Sequence, residues 1–107
     1  MSDKKDQAID WMEKEFLRRD SASKKGDNGK VGIVGGSPDY ISTPSIVGLG
    51  ALRSGSDLVK IVSNEKSIEN AKGFKKSFLT AEARITEENK DRIIEELSDC
   101  TSMVVGN

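Results

Sequence analysis

Histidine is missing from the chain altogether, which excludes imidazole acid–base chemistry and imidazole metal ligands. The single cysteine, Cys100, cannot close a disulfide within the chain, which fits a reducing, cytoplasmic setting. Aromatics are scarce, with one Trp, one Tyr and three Phe, and hydrophobic residues fill only 35% of 107 positions. A chain of this length buries about two thirds of its unfolded surface at best, so the core is thin and independent stability marginal. No apolar run approaches the roughly 20 residues that span a bilayer. Residues 1–10 are charged and carry no apolar stretch of the secretory kind. Seventeen basic and eighteen acidic side chains nearly cancel, leaving no single-sign field to attract nucleic acid or a membrane surface. There is no internal repeat and no low-complexity segment, and the length suits one small domain or a piece of a larger one.

What is present is an alternation of helix and strand signals. Ala8, Ile9, Trp11, Met12, Phe16 and Leu17 recur at helical spacing and predict an amphipathic helix over 4–17. The polar stretch 18–28 reads as a loop. Val31, Ile33 and Val34 predict a buried strand over 30–35, followed by a turn marked by Pro38-Asp39. Ser42 or Thr43 can cap the next helix, and Pro44 suits its first turn, where a missing N–H costs nothing. The helix body runs over 45–54, and Gly55 is its expected stop. Gly48 and Gly50 inside it cost about 1 kcal/mol each against Ala, which predicts a close approach to a sheet. Leu58, Val59, Ile61 and Val62 mark a second strand over 57–63. Strand, helix and strand form a βαβ unit with parallel strands. Farther on, the pattern predicts a short helix over 65–72 and a strand over 77–85. A helix follows over 87–97, capped by Thr86, with Ile93, Ile94 and Leu97 facing the sheet. A buried strand over 102–105 comes last.

This order predicts an α/β fold, an open and mostly parallel sheet with helices on its faces. Gly35-Gly36-Ser37, Ser63-Asn64 and Gly106-Asn107 then gather at the C-terminal edge of the strands, the usual ligand side of such sheets. A P-loop is excluded, because Gly29-Lys30 is followed by Val31 and precedes the strand. Gly32, Gly35 and Gly36 do not have the spacing of a dinucleotide fingerprint. The free N–H groups at Ser42-Thr43-Pro44 could meet an anion, although capping alone accounts for these residue types. Arg53 and Lys60 read as solvated or snorkelling, and Lys24-Lys25 as an exposed basic pair. Asp57 reads as a turn partner and Cys100 as a packed thiol. Glu87, Glu88, Glu95 and Glu96 read as a solvated helix face.

Three segments together carry more than their spacing. They are Lys25-Gly26-Asp27-Asn28-Gly29-Lys30-Val31, then Ile33-Val34-Gly35-Gly36-Ser37-Pro38-Asp39-Tyr40, then Gly48-Leu49-Gly50-Ala51-Leu52-Arg53-Ser54-Gly55-Ser56-Asp57-Leu58-Val59. As a combined pattern they closely resemble the ADP- or ATP-dependent NAD(P)H-hydrate dehydratases, members of the ribokinase-like superfamily. The closing Val104-Val105-Gly106-Asn107 resembles the start of that family's later Gly-Asn-Gly or Gly-Pro-Gly loop. Two positions depart from the family pattern. Lys24 stands where relatives usually carry His, and Ser42-Thr43-Pro44 stands where they usually carry Gly-Ala-Pro or Gly-Ala-Ala. The resemblance implies that the residue at this place borders the hydrated nicotinamide, so that Thr43 adds a hydroxyl there and narrows the expected pocket.

The resemblance implies a lyase that repairs hydrated NADH or NADPH. A nucleotide, ADP or ATP, with Mg2+, phosphorylates the added hydroxyl, and loss of phosphate restores the nicotinamide. It implies that residues 1–107 are the N-terminal part of a ribokinase-like domain, with 1–24 a helical extension and linker and 25–107 the core. The substrate-binding residues implied are Gly36, Ser37, Tyr40, Thr43 and Asn107. No catalytic or metal-binding residue is assigned, because the family's catalytic Asp and glycine-rich nucleotide loop belong to a later part with no match here. The expectation is therefore an N-terminal fragment or split product, inactive alone and completed by a C-terminal polypeptide, in a family that forms homo-oligomers. A non-catalytic binding or assembly module, or a piece of another ribokinase-like small-molecule kinase, remains as an alternative.

Overall fold

The computed structural model describes residues 2–15, 22 and 28–106. The expected loop over 18–28, the pair Lys24-Lys25, the last helical positions Phe16 and Leu17, and Asn107 fall wholly or mostly outside them. In chain order the elements are α1 (Ser2–Glu15), β1 (Lys30–Val34), α2 (Thr43–Arg53), β2 (Leu58–Ser63), α3 (Glu65–Phe74) and β3 (Leu79–Glu82). A 3-10 turn over Glu87–Asn89 leads into α4 (Lys90–Glu96), and β4 (Ser102–Val105) closes the order. The four strands form one sheet in the order β3-β2-β1-β4. Every pairing is parallel, so the sheet is wholly rather than mostly parallel.

Side chains of a strand alternate between faces, and the two faces of this sheet are built differently. Ile33, Val59 and Ile61 point to one face and pack with Ile68, Ala71 and Phe78. Val34 and Val62 point to the other and pack with Ala83 and Leu97, bordered by Ile93 and Cys100. Full burial of a side chain such as Ile61 contributes roughly 1.5–3 kcal/mol. Two glycines set how closely helices approach. A Cβ on Gly48 would lie 3.0 Å from the Phe78 ring and 3.3 Å from Val59, so the close approach expected of α2 holds there. Gly50 is exposed with open space around it, and does not share that role. On the opposite face, a Cβ on Gly32 would lie 2.6 Å from Leu97 Cδ2 and 2.9 Å from Cys100 Sγ. Gly32 is therefore what lets the end of α4 seat on β1.

The ends of the elements differ from the sequence reading in several places. α2 starts at Thr43, but no side-chain cap bond is made at Ser42, and buried Pro44 shapes the first turn instead. Gly55 stops the helix as expected, at φ +112°. α3 is capped by Asn64, whose side-chain oxygen accepts from the Ser67 N–H at 3.1 Å. The helix expected over 87–97 divides into the 3-10 turn and α4, with no side-chain cap from Thr86. Leu97 is buried and Ile93 half-buried, but Ile94 turns outward at 59% exposure. β3 is shorter than expected because only Leu79–Glu82 finds ladder partners on β2. β4 pairs with β1 as an edge strand, and all four of its residues are exposed, contrary to the expected burial. The residues of α1 whose side chains are described are exposed as well, including Ile9, Trp11 and Met12.

Candidate functional site

All four strands run the same way, so the loops that follow them share one edge. The loop between β1 and α2 holds three of the five residues singled out from sequence, Gly36, Ser37 and Tyr40, and a fourth, Thr43, opens α2 directly after it. Gly36 has φ +82°, a conformation open to glycine and strained for other residues. Space gives a second reason for glycine. A Cβ there would lie 2.8 Å from Pro44 Cγ and 3.0 Å from the hydroxyls of Ser63 and Ser67. The Tyr40 N–H donates to the Ser37 carbonyl at 3.0 Å and closes the turn over Pro38-Asp39. Tyr40 is exposed, Ser37 half-buried, and Thr43 half-buried as the first residue of α2. The fifth residue, Asn107, lies outside the described residues. Its neighbour Gly106 donates to the Val34 carbonyl at 3.0 Å, which brings the end of β4 beside the start of the loop. Between the two opens an apolar cavity of about 250 Å³ lined by Val34, Gly35, Pro44, Val47, Val105 and Gly106.

Behind the loop lies a group that sequence reasoning placed at this edge only in part. Ser63 and Asn64 were expected there, but Ser67 was not. Ser63 donates its hydroxyl to the Gly35 carbonyl. Asn64 Nδ2 donates to Ser67 Oγ at 3.1 Å and approaches Ser63 Oγ at 3.5 Å. The signal for Ser67 was a small polar residue beside Ile68 in a mixed polar and apolar helix pattern, and it does not distinguish burial from exposure. On the far side of the loop, Pro38, Asn64, Glu65, Lys66, Glu82 and Arg84 surround a polar cleft of about 400 Å³.

The remaining charged residues serve the frame. At the opposite edge of the sheet, Asp57 accepts from the Asn28 main-chain N–H at 3.0 Å, in keeping with its reading as a turn partner. Lys60 was expected to be solvated and Glu96 to lie on a solvated face. Instead Lys60 reaches across the sheet face to Glu96 at 2.7 Å, with its side chain 17% exposed. Lys30 pairs likewise with Asp99. The hydrogen bond from Lys60 holds the Glu96 carboxyl below its ordinary range, and that from Lys30 does the same for Asp99. Burial pushes the Cys100 thiol up, so it is a packed group rather than a nucleophile. Among the described residues no cluster of three or more His, Cys, Asp or Glu could hold a metal ion, and no helix is long and apolar enough to cross a membrane.

No family model matches the chain. The bifunctional NAD(P)H-hydrate repair enzyme Nnr of Methanopyrus kandleri is 34% identical over 97 residues, 91% of this chain and 19% of that protein. The ATP-dependent (S)-NAD(P)H-hydrate dehydratase of Ixodes scapularis is 35% identical over 69 residues, 62% of this chain and 23% of that one. The chain belongs to the NAD(P)H-hydrate dehydratase family. Its fold agrees with that placement. A ribokinase-like superfamily protein of Enterococcus faecalis V583 superposes with a TM-score of 0.70 over 88% of this chain and 32% of the other, at 17% sequence identity. The four-stranded parallel sheet is thus a part of a ribokinase-like α/β fold. The chain spans from 11% to 26% of the length of the curated relatives it matches.

Proposed function

We propose that this chain forms the hydrated-cofactor wall of an NAD(P)H-hydrate dehydratase, a lyase that repairs hydrated NADH or NADPH. The observation that carries the reading is the match to the repair enzyme of Methanopyrus kandleri over 91% of the chain. That match is joined to a β1–α2 loop and helix start that gather Gly36, Ser37, Tyr40 and Thr43 on the ligand edge of the sheet. In this reading the loop amides and the Thr43 hydroxyl orient the hydrated nicotinamide, Tyr40 borders it, and Asn107 begins the opposite lip. The domain division is the one the family pattern implies, an extension and linker over 1–24 and a core over 25–107. A reducing, cytoplasmic setting suits its lone Cys100.

The nucleotide, ADP or ATP, would supply the phosphoryl group that makes the added hydroxyl a leaving group. Mg2+ bound with a nucleotide takes one or two carboxylates beside the phosphates, and Gly36, Ser37, Tyr40 and Thr43 supply none. The catalytic Asp and glycine-rich nucleotide loop that the resemblance implies have no match among the described residues. The phosphoryl-transfer chemistry is therefore assigned to residues outside this chain's described part, and this chain's share is binding and orientation. The uncovered β4 supports the companion proposal that a further polypeptide segment completes the domain, as an assembly partner or a continuation, in a homo-oligomeric enzyme. Calorimetric titration with hydrated NADH tests the reading, and saturable binding is expected. Turnover by the chain alone with hydrated NADH, Mg2+ and ADP or ATP would overturn the assignment of the chemistry elsewhere. Absence of binding would overturn the substrate wall.

A further inference from the structure

Three polar side chains are buried among the described residues: Ser45, Ser63 and Ser67, each 0% exposed. They are not scattered through the core. All three lie in the corner where β2, α2 and α3 meet behind the β1–α2 loop. A buried hydroxyl is costly unless it is hydrogen-bonded, and none of these is left without a partner. Ser45 binds Asn70 on α3 at 2.7 Å and so ties two helices together. Ser63 does something else: its bond goes to the main chain of the loop, at Gly35.

That bond constrains the next amide. The Gly35–Gly36 peptide is trans and planar, so its C=O and N–H point in opposite directions. With the Gly35 carbonyl held inward by Ser63, the Gly36 N–H is turned away from the buried corner. Among the described residues no main-chain acceptor takes the N–H of Gly36 or of Ser37. Asn64 and Ser67 support the arrangement from behind, and the lack of a Cβ on Gly36 lets the loop lie against both serines. The result is a preset, outward-facing donor at the edge where the hydrated nicotinamide is proposed to bind.

We propose that Ser63 is a positioning residue: by capturing the Gly35 carbonyl it aims the Gly36 amide at an acceptor oxygen of the bound hydrated nicotinamide. The inference rests on the functional reading above, and the experiment separates the two. Amide NMR spectra of the whole chain are compared for wild type, Ser63→Ala and Ser45→Ala, with and without hydrated NADH. Ser45→Ala removes an equally buried hydroxyl that does not touch the loop. Ser63→Ala is expected to shift and broaden the resonances of residues 35–37 in the free chain. It should also weaken binding on the order of tenfold, the loss of about one hydrogen bond. Ser45→Ala should do neither. Should Ser63→Ala fail to fold, Ser63→Cys carries the test, since a thiol fills the space but donates poorly. An unchanged loop spectrum and affinity in the Ser63 variant, or an equal loss in Ser45→Ala, would overturn the proposal. If wild type does not bind hydrated NADH, the functional reading fails. The free-chain spectra still decide whether Ser63 holds the loop.

Discussion

Gly36 and Gly50 look alike in a sequence and behave as opposites in space. Gly36 combines φ +82° with a crowded Cβ position, 2.8 Å from Pro44 Cγ. Gly36→Ala is therefore expected to lower stability by about 1–3 kcal/mol, read as a fall in Tm. Gly50 sits inside α2, exposed, with nothing within 4 Å of a Cβ. Gly50→Ala is expected to raise stability by about 0.5–1 kcal/mol, because Ala loses less backbone freedom on entering a helix. A Tm that falls on Gly50→Ala would show that the α2 surface is covered in solution. The sequence supported one common explanation for Gly48 and Gly50, a close approach to the sheet. It holds at Gly48, against Phe78 and Val59, and not at Gly50. Residue type reports what a backbone can do; what surrounds it depends on the helix phase, and one helical turn does not fix that phase.

At the scale of the element, the strands were more legible than the helix ends. Val31 to Val34 and Leu58 to Val62 carry branched apolar runs that favour strands, and both occur where expected. α4 was less legible, because beside the packing of Ile93 and Leu97 part of its anchoring is ionic and comes from residues distant in sequence. Lys60 on β2 and Lys30 on β1 hold Glu96 and Asp99 around the end of the helix. Both carboxyl groups titrate below their ordinary values through these partners. A carboxylate with a lowered folded pKa contributes stability that is fully present above its unfolded pKa and lost as pH falls through the folded one. α4 should therefore stay docked at neutral pH and loosen as pH falls below about 4. Thermal melts over that range are expected to show a shallower acid decline for the double variant Glu96→Gln and Asp99→Asn than for wild type. Equal slopes would mean the pairs contribute nothing in solution, the ordinary fate of exposed ion pairs. Cys100, seated under the same helix end with a raised pKa, should react slowly with alkylating reagents at neutral pH, and faster at that same pH in the Glu96→Gln and Asp99→Asn variant, where the ion pairs no longer hold α4 over it.

At the scale of the whole molecule, parallel topology was legible because helix and strand signals alternate, and it placed the site loops on one edge. The exposure of β4 was not legible. Met103, Val104 and Val105 read as a buried strand, and buried strands of an open sheet carry this composition. Burial, however, needs a neighbouring strand and a covering helix as well as apolar side chains. Among the described residues β4 has β1 on one side only, and Met103, Val104 and Val105 are 57%, 46% and 73% exposed. Met103 and Val105 share one face and Val104 lies on the other, so apolar surface is open on both faces of the edge. Edge strands of that kind pair with other chains unless a charge, a proline or a bulge blocks them, and β4 carries none of these. The chain alone is thus expected to self-associate as its concentration rises, with Val105→Lys shifting sedimentation velocity profiles toward monomer. Since Val105 contributes little to the core, the same substitution should leave Tm nearly unchanged at low concentration. A wild-type chain that stays monomeric across a wide concentration range would show that this edge is blunted in solution, and would remove the support β4 lends to a completing segment.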